Sequence, residues 1–232
     1  MSSEVSIVPA SEEAIIIYLA EQADETVLEK IRVLGELIES RLSEFVVDLV
    51  PSFTSLTVYY DVSHIDYSQL RHSLQAIVSE LLQGELPESE SRYLELPVYY
   101  GEKVAEDMAR VCELTGMTAE QVVELHSQCE LRVYALGFRP GFGFMGSLPE
   151  ALKVPRLDTP RKKVPKGAVA ITETQTAVYP DVSPGGWNII GRCPLEMFDR
   201  SGPEPAALLQ VGDRVKFVPV DRDEFIRLGG QL

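Results

Sequence analysis

The feature that most restricts the fold is the punctuation of the second half of the chain. From Gly137 onward glycine and proline recur every few residues, and the apolar runs shrink to 168–172, 176–179, 187–190 and 214–220. Runs that short are strand-sized, and the turn residues between them leave little room for helices. This half therefore reads as a compact, mainly β barrel or sandwich. Just ahead of it, 92–100 alternates as a strand, 104–115 and 118–127 read as two short helices around Gly116, and 131–138 is again a strand. Thr118 and Gln121 stand at the spacing that lets side chain and backbone satisfy each other's free amides at a helix start.

The first part follows other rules. Residues 12–20 are short, apolar and rich in Ile, as in a buried strand. Val27, Ile31, Leu34, Ile38 and Leu42 recur every three or four positions over 25–42, and Leu70, Leu74, Ile77 and Leu81 do so over 67–82, so each set lies on one helical face. Between them, 45–50 and 55–61 are β-branched and aromatic. Strand, helix, strand, strand, helix, with room for one further strand, suggests an α+β ferredoxin-like domain. The stretch 84–91 breaks every period with Gly, Pro, Ser and acids and reads as a linker, giving a domain over 1–84 and another over 93–232.

Charge separates the same two parts. Residues 1–90 hold 17 acids and 4 bases, a balance of −13; residues 91–232 hold 19 and 17, a balance of −2. The total of −15 argues against a nucleic-acid binder, which needs clustered Lys and Arg against phosphates. No apolar run approaches the length of a bilayer span, and the opening MSSEVSIVPASEE has neither the basic start nor the apolar core of a signal peptide. Three scattered cysteines cannot make a disulfide framework, so a reduced, cytoplasmic protein is expected.

Several segments could carry chemistry. Gly141 to Gly146 matches G-x-G-x-x-G, but Pro140 precedes it, Pro149 follows, and no acid stands about 20 residues on to hold a ribose, so a dinucleotide loop is not expected. No Walker A loop exists either. Lys153, Arg156, Arg161, Lys162, Lys163 and Lys166 crowd fourteen residues opposed only by Asp158, and Pro155, Pro160 and Pro165 stiffen them. That stretch is either an anion clamp or a solvated loop. Gly185 and Gly186, before Trp187, could expose amides as an anion nest, yet a tight turn anchored by Trp187 explains them as well. His126 could act as a general base, but its place at a helix end also suits a histidine bonded locally. With Cys129 alone beside it, no metal site is expected.

Taken together, ELRVYALGFRPGFGFMGSLPEAL, VPRLDTPRKKVPKGAVAI, TAVYPDVSPGGWNIIGRCPLEMFD and GDRVKFVPV resemble, in order, the bacterial family of 5-oxoprolinase B subunits, also labelled allophanate hydrolase subunit 1 or Kip-type histidine kinase inhibitor. The resemblance covers most of 93–220. It implies a small N-terminal α/β domain followed by a cyclophilin-like barrel. It also implies a chain inactive alone, working with a second barrel-containing subunit and a TIM-barrel-like one. The implied reaction is ATP-dependent opening of 5-oxo-L-proline to L-glutamate. His126, Arg132, Arg156, Arg161, Gly185, Gly186, Trp187 and Arg192 match family positions. Of these, His126 and Arg132 are expected in catalysis, and the other six around a small anionic substrate or phosphate. Ala177 and Cys193 depart from the family's usual glycine and threonine. Three other readings remain: a regulatory protein docking on a histidine kinase, a subunit of an allophanate or urea amidolyase-like hydrolase, and prolyl isomerisation suggested by the implied barrel alone.

Overall fold

The computed structural model describes residues 5–84, 86, 91–202 and 205–232. The chain separates into two compact units, 1–90 and 91–232. Most of the linker expected at 84–91 lies outside the described residues.

In the first unit, strands β1 (Ser6–Ser11) and β2 (Ala14–Tyr18) precede helix α1 (Glu25–Leu42), and β3 (Val46–Pro51) and β4 (Ser55–Tyr60) precede α2 (Tyr67–Gln83). Asp24 starts α1 by accepting from the Val27 N–H at 2.7 Å, and Asp66 and Gln69 form a capping box at α2. The sheet runs β1-β2-β4-β3 and is antiparallel throughout. The further strand is β1, which lies at the edge beside β2 and precedes the other elements. Ile31, Leu34, Leu70 and Leu74 from the helical stripes bury with Ile15, Ile17, Leu56 and Val58 of the sheet in one core.

The second unit contains β5 (Tyr93–Val98), α3 (Met108–Thr115), α4 (Ala119–Gln128), β6 (Glu130–Leu136), β7 (Gly143–Gly146), β8 (Arg161–Val164), β9 (Ala168–Thr172), β10 (Gln175–Val178), β11 (Ser183–Gly185), β12 (Asn188–Arg192), β13 (Phe198–Asp199), β14 (Ala206–Ala207), β15 (Arg214–Pro219) and α5 (Arg222–Arg227). Seven strands form one sheet, ordered β12-β9-β10-β7-β6-β15-β5, and only β15 and β5 run parallel. The two edges meet. Tyr99, just past β5, and Arg192, at the end of β12, exchange backbone hydrogen bonds of 2.9 and 2.8 Å, so the sheet curls back on itself.

Alternation along the strands sorts the two faces. Leu96, Leu131, Met145, Val169, Val178, Ile190 and Phe217 give the inner face one residue from each of the seven strands, and Val111 of α3 and Val122 of α4 pack with them. Burying a side chain of this kind contributes about 1.5–3 kcal/mol. On the outer face of β9, β10 and β12, the small Ala168, Ala170 and Ala177 lie with Ile189 beneath Phe142, Tyr179 and Trp187. The separate ladder β8–β11 belongs to this second layer through Val164.

Three local expectations change. Helix α3 begins at Met108, not Val104, because the Asp107 N–H is taken by the Ile189 carbonyl at 2.9 Å, while Val104 and Ala105 turn onto the Gly101 carbonyl. Glycines 143 and 146 bound a strand, paired with β6 and β10. The basic stretch is a strand from Arg161 to Val164, with Ser183–Gly185 as its partner, so neither is a free loop. Helix α5 has no counterpart among the elements expected from the sequence. Among the described residues, no helix is long and apolar enough to cross a membrane.

Candidate functional site

The pairing of β8 with β11 sets Arg161 opposite Gly185. Just beyond, the Leu157 N–H donates to the Gly186 carbonyl at 2.8 Å, and Gly186 lies against the Pro160 ring. This lays the proline-stiffened cationic segment along the S-P-G-G-W segment. Beneath both is Tyr179. Its hydroxyl receives a backbone hydrogen bond from Trp187 and feels the positive fields of Arg156 and Arg161. Burial is the larger influence and raises its pKa above the ordinary tyrosine value, so the phenol stays protonated. Arg156, Arg161, Gly185, Gly186 and Trp187 are therefore gathered around one phenol.

Glycines also permit close approach around the β6–β7 hairpin. A β-carbon on Gly141 would meet the Met197 carbonyl at 2.5 Å, and one on Gly143 would meet Leu209 at 2.8 Å. Only Gly141 of these two has the left-handed backbone, with φ of 82°. Phe138 also takes a positive φ, 68°, at the tip of the β6–β7 hairpin, where it is 56% exposed and meets Phe142 and Tyr179 edge to face.

Arg161 is not opposed by Asp158 alone, as the linear sequence suggests. Its Nη2 donates to Asp107 Oδ1 at 2.6 Å, and its Nε lies 3.4 Å from Glu106 Oε2. Asp107 is buried and spends its second oxygen on the Ile189 N–H at 2.7 Å. Sequence reasoning missed this carboxylate because it lies 54 positions from its partner. Lys153 and Lys166 pair with Glu150 and Glu196. Arg156, Lys162 and Lys163 are exposed and make no ion pair among the described residues, so they carry the free positive charge.

His126 and Arg132 lie elsewhere. His126 is fully buried and stacked on Phe217 at 4.6 Å. The Thr176 hydroxyl donates to the Ala170 carbonyl at 3.2 Å, so its oxygen accepts from Nε2 of His126 at 3.0 Å, and Nδ1 accepts from the Tyr100 hydroxyl at 2.8 Å. Burial pushes its pKa down to about 3. Both ring nitrogens are thus engaged inside the core, and neither is turned toward the Tyr179 surface. Arg132 is the third residue of β6, toward the end remote from the Phe138 hairpin, and donates from Nη1 to Ser91 Oγ at 2.9 Å. Arg192 stands at the barrel seam and opens on a different cavity. Cys129 donates to the Leu125 carbonyl at 3.0 Å, and no group of three metal-ligating side chains occurs among the described residues.

Comparison with known proteins agrees with this architecture. Residues 5–209 match the carboxyltransferase domain, subdomain C and D. The chain is 32% identical over 235 residues to the 5-oxoprolinase B subunit of Bacillus subtilis, covering 97% of each. It is 35% identical to the Haemophilus influenzae protein of the same name, over 92% of this chain and 97% of that one. The crystal structure of the Kluyveromyces lactis urea carboxylase superposes on 96% of this chain with a TM-score of 0.77 at 19% identity; the chain spans 22% of that longer protein, and the likeness is one of fold. With near-complete overlap at this identity, the chain belongs to the family of 5-oxoprolinase B subunits.

Proposed function

We propose that this chain is the B subunit of an ATP-dependent 5-oxoprolinase that opens 5-oxo-L-proline to L-glutamate and is inactive without its companions. The observation that carries the reading is the end-to-end match to two bacterial 5-oxoprolinase B subunits. The companions would be a second cyclophilin-like-barrel subunit and a TIM-barrel-like one. In the same reading, the closed seven-stranded sheet is a cyclophilin-like barrel. The first unit is a ferredoxin-like sandwich whose fourth strand is supplied from the front.

The five-membered lactam resists water, and transfer of a phosphoryl group to its amide oxygen makes the ring carbon electrophilic. Water then attacks that carbon, the C–N bond breaks, and further hydrolysis releases phosphate and leaves glutamate. ATP does not fit a glycine loop in this chain: Gly143–Gly146 is a strand between β6 and β10, with no helix N-terminus to face a phosphate. The nucleotide is therefore assigned to the complex. What this chain offers is an anion-holding surface. Exposed Arg156, with Lys162 and Lys163, would take carboxylate or phosphoryl oxygens, and the protonated Tyr179 hydroxyl lies in the field of Arg156. Arg161, already matched by two acids, would position the ladder rather than hold substrate.

Mixing the chain with the two companion subunits, ATP and 5-oxoproline tests this. Glutamate should form only when all chains are present, and Arg156→Ala should slow the complete complex by about tenfold or more without changing the melting temperature. Glutamate formation without this chain would refute the proposal. The acidic first unit, at −13, supports a second reading as a kinase-docking regulator, since charge steers association. Loss of kinase autophosphorylation on adding this chain alone would favour it.

A further inference from the structure

We propose that the cavity at the barrel seam is a second anion site, in which Arg192 holds a small carboxylate or phosphate away from the Tyr179 surface. Arg192 ends β12 and is half-buried. It differs from the neighbouring cations whose charge is matched. Arg161 has Asp107 and Glu106, and Lys166 has Glu196 at 2.6 Å. Among the described residues, no carboxylate pairs with Arg192. Its Nη1 donates to the Gln231 carbonyl at 3.0 Å, and its buried Nε has no partner. Glu106 acts on it only as a more distant field, and burial lowers its pKa despite that field.

A guanidinium taken partly out of water without a counter-charge costs free energy unless an anion completes it. Space for one lies beside it: a cavity of about 360 Å³ lined by Arg192, Lys166, Glu196, Gly167 and the tail glycines 229 and 230. That volume suits a small molecule. The one acid among these lining residues is already held by Lys166. A β-carbon on Gly167 would lie 2.4 Å from the Cys193 carbonyl oxygen and 3.3 Å from Arg192 Cγ, so the bare glycine backbone packs directly against the arginine stem. The planar fork matches carboxylate and phosphate oxygens alike.

Calorimetric titration of the full chain with sodium glutamate and, separately, sodium phosphate at constant ionic strength tests the site. Saturable binding of at least one is expected, weakened at least about tenfold by Arg192→Gln and unchanged by Arg156→Ala. Val182→Trp, at an exposed position on the cavity rim, should weaken binding similarly by filling the space, and it decides the matter if Arg192→Gln fails to fold. Tighter glutamate identifies a carboxylate site and tighter phosphate a phosphoryl site, and either supports the proposal. No saturable binding up to about 10 mM overturns it, as does binding that Val182→Trp and Arg192→Gln leave intact. Equal loss in Arg156→Ala would move the ion to the Tyr179 surface and also overturn it.

Discussion

Tyr179 and Gly185 touch so closely that a β-carbon on residue 185 would sit 2.3 Å from the phenol oxygen. The contact fixes where the β8–β11 ladder lies on the outer face of the barrel, because Gly185 is the residue paired with Arg161. Gly185→Ala should push the phenol aside, break its backbone bond to Trp187 and cost about 1–3 kcal/mol. Urea unfolding followed by Trp187 fluorescence reads both effects, since this is the sole tryptophan. An alanine variant with wild-type midpoint and emission would show that the ladder yields freely.

Arg161 and Asp107 make a pair whose side chains are 25% and 7% exposed. Removing the arginine strands a buried carboxylate with only the Ile189 N–H, so Arg161→Ala should destabilise the chain by about 3–5 kcal/mol. Adding Asp107→Asn should recover part of that loss, with a coupling of about 1 kcal/mol or more in the double-mutant cycle. Additive changes would mean that the two side chains stabilise the fold independently.

That pair also marks where sequence reading stops. The bounds of α1 and the Thr118–Gln121 capping box were legible because both arise from residues three or four positions apart. The short strands of the barrel were legible as apolar runs. Their partners were not, and so the strand character of Gly143–Gly146 and of Arg161–Val164 stayed hidden. Arg161–Val164 becomes a strand only through pairing with Ser183–Gly185, whereas Gly143–Gly146 is held both by the adjoining β6 and, across the sheet, by β10. The burial of His126 was hidden for a related reason: its two hydrogen-bond partners come from β10 and from the segment after β5, beyond the reach of a local pattern.

The histidine gives a pH signature. Its folded pKa is depressed to about 3, whereas the unfolded chain titrates near the ordinary value of 6.5. Between those values the unfolded state binds more protons, so stability rises with pH. The neutral-histidine contribution is complete above about 6.5 and is lost progressively as pH falls toward 3, at up to about 1.4 kcal/mol per pH unit. His126→Gln should lower stability at pH 7 yet show a shallower decline from pH 6.5 to 4. Parallel curves for variant and wild type would mean that His126 titrates normally.

The seam of the barrel rests on Gly191. A β-carbon there would meet Val98 at 2.8 Å and the Tyr99 carbonyl at 3.0 Å. A side-chain methyl can turn away, but the carbonyl belongs to the backbone bridge that joins the two sheet edges. Gly191→Ala should therefore cost about 1–3 kcal/mol and concentrate its effect at the seam. Hydrogen exchange should accelerate first at the Tyr99 and Arg192 amides, which make the bridge. Gly35, inside α1 with nothing within 4 Å of its added β-carbon, provides the opposite case. Gly35→Ala should stabilise the first unit by about 0.5–1 kcal/mol, because alanine loses less backbone freedom in a helix. Gly191→Ala with unchanged exchange at those two amides would show that the sheet edges do not depend on the bridge to stay closed.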